Sequence, residues 1–175
     1  MLKLRPANPE ETVEFVELSI SALAHDCVVA GRYGNREEAM SNARDVMGAT
    51  SQRPDSRILA IADEDILQTV GFLWHVVLKD PSGKDYGWVH QLLIMPAYRH
   101  RAYGRRALLK FESLCISLGY YKYGLHVFFS NMAACALYDS VGLMFSSHGR
   151  AVPVLTQNLE KLLPPQANQS KVLTS

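Results

Sequence analysis

Residues 88–118 restrict the fold more than any other part of the chain. Positions 89–95 form an apolar run of strand length, closed by Pro96. Positions 98–106 form a short loop with five basic residues, Arg99, His100, Arg101, Arg105 and Arg106, around Gly104. Leu108, Phe111, Cys115 and Leu118 then recur at spacings of three and four, the period of a helix with one apolar face. A strand, a basic loop and a helix in this order bring cations to a helix start, where unpaired N–H groups and a partial positive charge already favour an anion. Arginines there cost the first turn roughly a few tenths of a kcal/mol each. A bound phosphate reverses that sign, so the loop reads as a phosphate site. A plain solvated helix start and a nucleic-acid patch are the competing readings.

The rest of the composition weighs against nucleic acid. The chain has 175 residues and a net charge of +1, so no global field steers it to a polyanion or a membrane surface. About half of it is apolar (48%), enough for the full core of one domain. No apolar run approaches the ~18 residues of a membrane span. The first residues, Met1-Leu2-Lys3-Leu4-Arg5, lack the apolar core of a secretory signal. Cys27, Cys115 and Cys135 fall on apolar faces of expected helices without metal-ligand spacing. They read as reduced packing residues, and the expectation is a cytoplasmic protein with no metal.

Along the chain, residues 2–5 alternate and form a short edge strand. Asn8, Pro9 and Glu11 make a helix start with a capping box. Val13, Val16, Ile20, Leu23, Ala24 and Cys27 give that helix its apolar stripe. Asn35 opens a second helix, with Met40, Ala43, Val46 and Met47 inward and Gly48 as its end. Residues 57–62 and 69–78 read as strands, and the turn at 81–84 pairs the second of them with the strand at Val89. After the central helix, Gly119 stops the chain and residues 123–129 form the next strand. Asn131 caps a short helix ending near Gly142. Residues 143–147 and 152–159 close the sheet, and residues 164–175 form a polar tail beyond a domain of 1–163. The fold class is α+β: a mixed, mostly antiparallel sheet flanked by helices, with one parallel pair at its centre.

Several segments resemble the GNAT superfamily of N-acetyltransferases. The loop Arg99-x-x-Ala102-x-Gly104 is similar to the family's pyrophosphate loop, with alanine in place of its first glycine. Asn131, Ala134, Leu137-Tyr138 and Val141-Gly142-Leu143 resemble a later family segment, with leucine for the usual phenylalanine. Val70-Gly71 resembles the family's third strand. The order of elements also matches, over residues 1–162. The resemblance implies acetyl-CoA as co-substrate and an amine acceptor, in a small molecule or peptide. The near-neutral charge and the absence of a long apolar run add the expectation of no nucleic-acid or membrane partner, and a homodimer is compatible with this reading.

The resemblance also implies roles for residues. The pantetheine arm of CoA would lie in a gap between Leu92-Leu93-Ile94 and residues 124–128, with an N–H near Leu93 or Ile94 as oxyanion donor. Arg99, His100, Arg101, Ala102, Tyr103, Gly104, Arg105 and Arg106 would surround the phosphates. Asn131 has an ordinary reading as a helix cap and a family reading as a contact to the arm, and the two are compatible. Tyr138 would be the general acid for the departing thiolate, although a half-buried helix tyrosine needs no such role. A proton acceptor is harder to place. His90 and His126 could reach the gap, strand histidines are usually packing residues, and a water chain could serve instead. The acceptor would meet Arg32-Tyr33, Trp74 and residues 151–153. A CoA-binding module without catalysis is the alternative that Ala102 and the missing acidic base leave open.

Overall fold

The structure, a computed structural model, describes residues 1–145 and 156–164. A mixed sheet carries everything else. Its strands are β1 (Leu2–Pro6), β2 (Arg57–Asp63), β3 (Gln68–Lys79), β4 (Asp85–Ile94), β5 (Lys122–Phe128), β6 (Met144–Phe145) and β7 (Thr156–Leu162). The spatial order is β1-β2-β3-β4-β5-β7-β6. Every neighbouring pair is antiparallel except β4 and β5. Four helices flank it: α1 (Pro9–Val29), α2 (Arg36–Ser51), α3 (Tyr103–Ser117) and α4 (Met132–Ser140).

Local chemistry explains the helix starts. Asn8 accepts from the Glu11 amide, and Glu11 accepts from the Asn8 amide, the expected capping box. Asn35 caps α2 through the Glu38 amide, and Asn131 caps α4 through the Ala134 amide. Two details differ from the sequence reading. The stripe of α1 is carried by Phe15, Ser19, Ile20, Ala24 and Cys27, while Val13 is 66% exposed. Helix α2 runs through Gly48 to Ser51, because a mid-helix glycine costs only about 1 kcal/mol and Met47 is held in the core.

The two faces of the sheet bury separate clusters. Phe15, Met47, Phe72 and Trp74 pack under α1 and α2. Leu73, Phe111, Tyr123 and Leu125 pack under α3 and α4. Of the closing pair expected at 143–147 and 152–159, the described parts are Met144–Phe145 and Thr156–Leu162. Residues 146–155 and the tail 165–175 lie outside the described residues.

Two irregularities in the sheet position the site. Trp74 pairs with Gln91 and His75 with Val89, so His90 is an extra residue, a β-bulge in β4. The parallel ladder of β4 with β5 contains only Gly87–Tyr123, Trp88–Gly124 and Val89–Leu125. Beyond Val89 the two strands part. The gap expected between residues 92–94 and 124–128 thus opens at the bulge and beyond Leu125, and Gly124, paired with Trp88, is not part of it.

Candidate active site

A cleft of about 1140 Å³ begins where β4 and β5 part. Leu92, Leu93 and Ile94 border it on one side and Leu125, His126, Val127 and Phe128 on the other. Strand alternation decides which amides face it. The Met95 amide bonds the Val70 carbonyl, so residues 91, 93 and 95 share hydrogen bonds with β3. Leu92 and Ile94 therefore turn their backbone groups to the open edge. Of the two amides singled out in the sequence, that of Ile94 turns to the open edge and that of Leu93 faces β3. The Ile94 carbonyl is held by Nε of Arg99 at 3.1 Å, which draws the basic loop against the strand end.

The loop divides its cations. Arg99, His100, Ala102, Gly104 and Arg105 border the cleft, whereas Arg101 and Arg106 do not. Arg106 lies over the Tyr103 ring at 5.3 Å and 3.9 Å from Asp63. Tyr103 borders the cleft too, but its hydroxyl donates to buried Asp63 at 2.7 Å, tying the start of α3 to the end of β2. His100 and Ala102 both have left-handed backbone, with φ of 60° and 59°. Ala102 is the residue preceding α3, so the expected glycine position carries an alanine in a glycine conformation. Gly104, by contrast, sits close to α4. A Cβ there would stand 3.0 Å from Leu137 of α4.

Tyr138 borders the cleft from α4 and is 8% exposed. Burial pushes its hydroxyl well above the usual phenol range, and Cys135 and the Asp26 carboxylate add to the rise. His90 borders the cleft at the bulge, with its ring 5.0 Å from that of Trp74. Its Nε2 is buried without a hydrogen-bond partner among the described residues. Burial and then the charge of Arg53 lower its pKa to about 4. Asn131 uses both ends of its amide: the oxygen caps α4, and the nitrogen donates to Asp26 at 3.3 Å.

The expected acceptor wall is partly revised. Arg32 borders the cleft. Trp74 does not: it is fully buried and its indole N–H donates to Ser56 at 2.6 Å. Residues 151–153 lie outside the described residues. Sequence reading missed Asp26. The signal available was its place on α1, since Leu18, Ser21, Ala22, His25 and Asp26 share one helix face and all border the cleft.

A family model for GNAT acetyltransferases matches residues 26–143, which include the splayed strands, the loop and α4. The chain belongs to the GNAT acetyltransferase family. It is 24% identical over 147 residues to YycN of Bacillus subtilis, named an uncharacterized N-acetyltransferase, covering 81% of this chain and 91% of that protein. The crystal structure of YycN superposes with a TM-score of 0.76 at 22% identity, over 89% of this chain and 99% of that one. The PaiA N-acetyltransferase of Thermoplasma acidophilum, solved with coenzyme A, gives 0.67 at 17% identity over 93% and 99%. A spermidine N-acetyltransferase from Vibrio cholerae, solved with CoA and spermine, gives 0.62 at 15% over 92% and 95%. The GNAT membership makes this chain an acyltransferase with acetyl-CoA as co-substrate. No described helix is long and apolar enough to cross a membrane. Among the described residues, no group of three or more His, Cys, Asp or Glu could hold a metal ion.

Proposed function

We propose that the protein transfers the acetyl group of acetyl-CoA directly to a primary amine, in a small molecule or a peptide. The observation that carries this reading is the parting of β4 and β5 at Val89 and Leu125, with the basic loop, the open amides and Tyr138 all bordering the cleft that begins there. The pantetheine arm would lie along Leu92–Ile94 as a strand would. The diphosphate would meet Arg99, His100, Ala102, Gly104 and Arg105. The outward amide of Ile94 is positioned to receive negative charge on the thioester oxygen.

The amine nitrogen attacks the carbonyl carbon, the C–N bond forms, and the C–S bond breaks. The leaving thiolate takes a proton from Tyr138, and the proton shed by the acetylated nitrogen returns through water to the Tyr138 phenolate, so the enzyme ends as it began. Burial that raises the phenol also raises a thiolate desolvated beside it, so the two remain matched for proton transfer. Burial keeps the Cys27 and Cys115 thiols protonated as well, with Cys115 pushed up to about 12. That favours attack by the amine itself over a cysteine-borne intermediate. His90, with a pKa of about 4, is too weak a base to deprotonate an ammonium of pKa near ~10 in one step. Its unpaired Nε2 suits a hydrogen bond to the neutral amine or to a water.

The test is an acceptor panel of amines, aminoglycosides, amino acids and peptides, scored by release of the CoA thiol. With an accepted amine, Tyr138→Phe should lower kcat by about 10²–10⁴-fold and leave KM for acetyl-CoA nearly unchanged. Wild-type turnover in that variant would remove Tyr138 from the mechanism. An acetylated enzyme seen by intact mass would overturn direct attack.

A further inference from the structure

We infer that the acceptor carries two opposite charges, an amine received by Asp26 and an anionic group received by Arg36. This rests on the acetyltransferase reading and names the substrate class for the same site. Asp26 is the only carboxylate among the described residues that border the cleft. Its Oδ2 accepts from Asn131 of α4, and no ion pair occupies it among the described residues. It is half-buried, and burial raises its carboxyl pKa against the lowering by the Asn131 amide and by the neighbouring His25. Through Asn131 it is tied to the start of α4, the helix that carries Tyr138, and both side chains border the cleft. An ammonium received there would enter the same cleft as Tyr138 and would attack only after losing a proton.

The same wall has cations but no second anion. Arg36 is exposed, borders the cleft, and donates from Nη2 to Ser21 Oγ at 3.2 Å. It has no ion pair among the described residues. Ser21 and Asp26 both border the cleft from α1, five residues apart, a rise of about 7.5 Å and a turn of about 140° around the axis. Arg32 adds another guanidinium to the rim. A polyamine anchored at Asp26 would bring its next ammonium against these arginines. An ω-amino acid, or a short peptide with a free N-terminus, would place a carboxylate there instead. Arg99 and Arg105 belong to the loop proposed for the diphosphate, which leaves Arg36 for the acceptor.

The probes are 4-aminobutyrate, butylamine and spermidine, each tested with the full chain saturated with acetyl-CoA, by thiol release and by thermal shift. Wild type should favour 4-aminobutyrate. Asp26→Asn should lower kcat/KM for both 4-aminobutyrate and butylamine by roughly ten- to hundredfold. Arg36→Gln, an exposed change that tests the idea should Asp26→Asn fold poorly, should lower the ratio of 4-aminobutyrate to butylamine by about tenfold or more. A preference for spermidine or butylamine, or an unchanged ratio in Arg36→Gln, overturns the inference. So does 4-aminobutyrate that neither shifts the melting point nor reacts. Those results leave the cofactor reading intact. Only a wild type whose melting point acetyl-CoA does not raise would sink that reading, and this inference with it.

Discussion

Ala102 holds a left-handed backbone, φ 59° and ψ 13°, that an L-residue adopts at a cost of roughly 1–2 kcal/mol. Ala102→Gly should therefore raise stability by up to about 1 kcal/mol in urea titrations and tighten CoA binding. Loss of CoA binding in this variant would show that the loop does not hold the phosphates. The sequence exposed the mismatch with the family loop but not its outcome, because φ at 102 follows from how the loop closes between Arg99 and α3. Two histidines add a pH dependence. His75 and His90 are each lowered to about 4, by burial first and then by Arg57 and Arg53 respectively. Their folded values lie below an unfolded value near ~6.5, so the unfolded chain binds more protons between those limits. The stability they contribute is complete above pH ~6.5 and is lost as pH falls toward 4, on the order of 3 kcal/mol each. Glu11, lowered to about 2 mainly by Arg5, acts in a more acidic window. His75→Leu should remove about half of the slope between pH 6.5 and 4.5 in denaturation experiments. A flat wild-type profile there would contradict the burial assigned to both imidazoles. Neither shift was legible beforehand. A histidine in a strand pattern says nothing of its depth, just as Asp26 said nothing of the cleft.

At the scale of elements, what was legible is what is local. The strand at Val89, the loop and α3 follow from an apolar run, a proline and a helical period within some thirty residues. The caps at Asn8, Asn35 and Asn131 follow from residue type alone. The end of the parallel ladder at Val89–Leu125 and the bulge at His90 depend on register between distant strands, which no single stretch encodes. The glycines of the sheet record part of that register. A Cβ on Gly71 would run into the Leu93 carbonyl oxygen, and one on Gly124 would meet the Leu159 carbonyl oxygen at 2.9 Å. Both obstacles are backbone, which cannot swing aside as a side chain can. Gly71→Ala should thus cost about 2 kcal/mol or more in urea denaturation and, by displacing β4, weaken CoA binding. By comparison, Gly34→Ala, where a Cβ meets nothing within 4 Å, should change stability little. Equal stability of the two variants would mean that the close approach of β3 and β4 is wrong.

For the whole molecule, the parting of β4 and β5 divides one sheet into two sectors. Strands β1–β4 lie on one side, and β5, β7 and β6 on the other. Only three residue pairs of parallel ladder join them directly. Further ties among the described residues include the packing of α3 against both β4 and β5, the Tyr121 hydroxyl donating to Asp80 at 2.8 Å, and α1 reaching α4 through Asp26 and Asn131. A pantetheine arm in the gap would replace the missing ladder, satisfying the outward groups of β4 and bringing β5 under the same restraint. Acetyl-CoA should consequently stabilise the fold as a whole, by about 2.7 kcal/mol at a hundredfold excess over Kd. The distribution of that gain separates two ways of binding. If the arm fills the gap, amide hydrogen exchange should slow together at residues 92–94 and 126–128, on both sides of the parting, as well as around the loop. If only the nucleotide binds, at the cations of Arg99 and Arg105, protection should stop near residues 99–105 and free adenosine diphosphate should reproduce it. CoA that protects the loop and leaves residues 126–128 exchanging at the unliganded rate would mean that the gap in the sheet is not the thioester site.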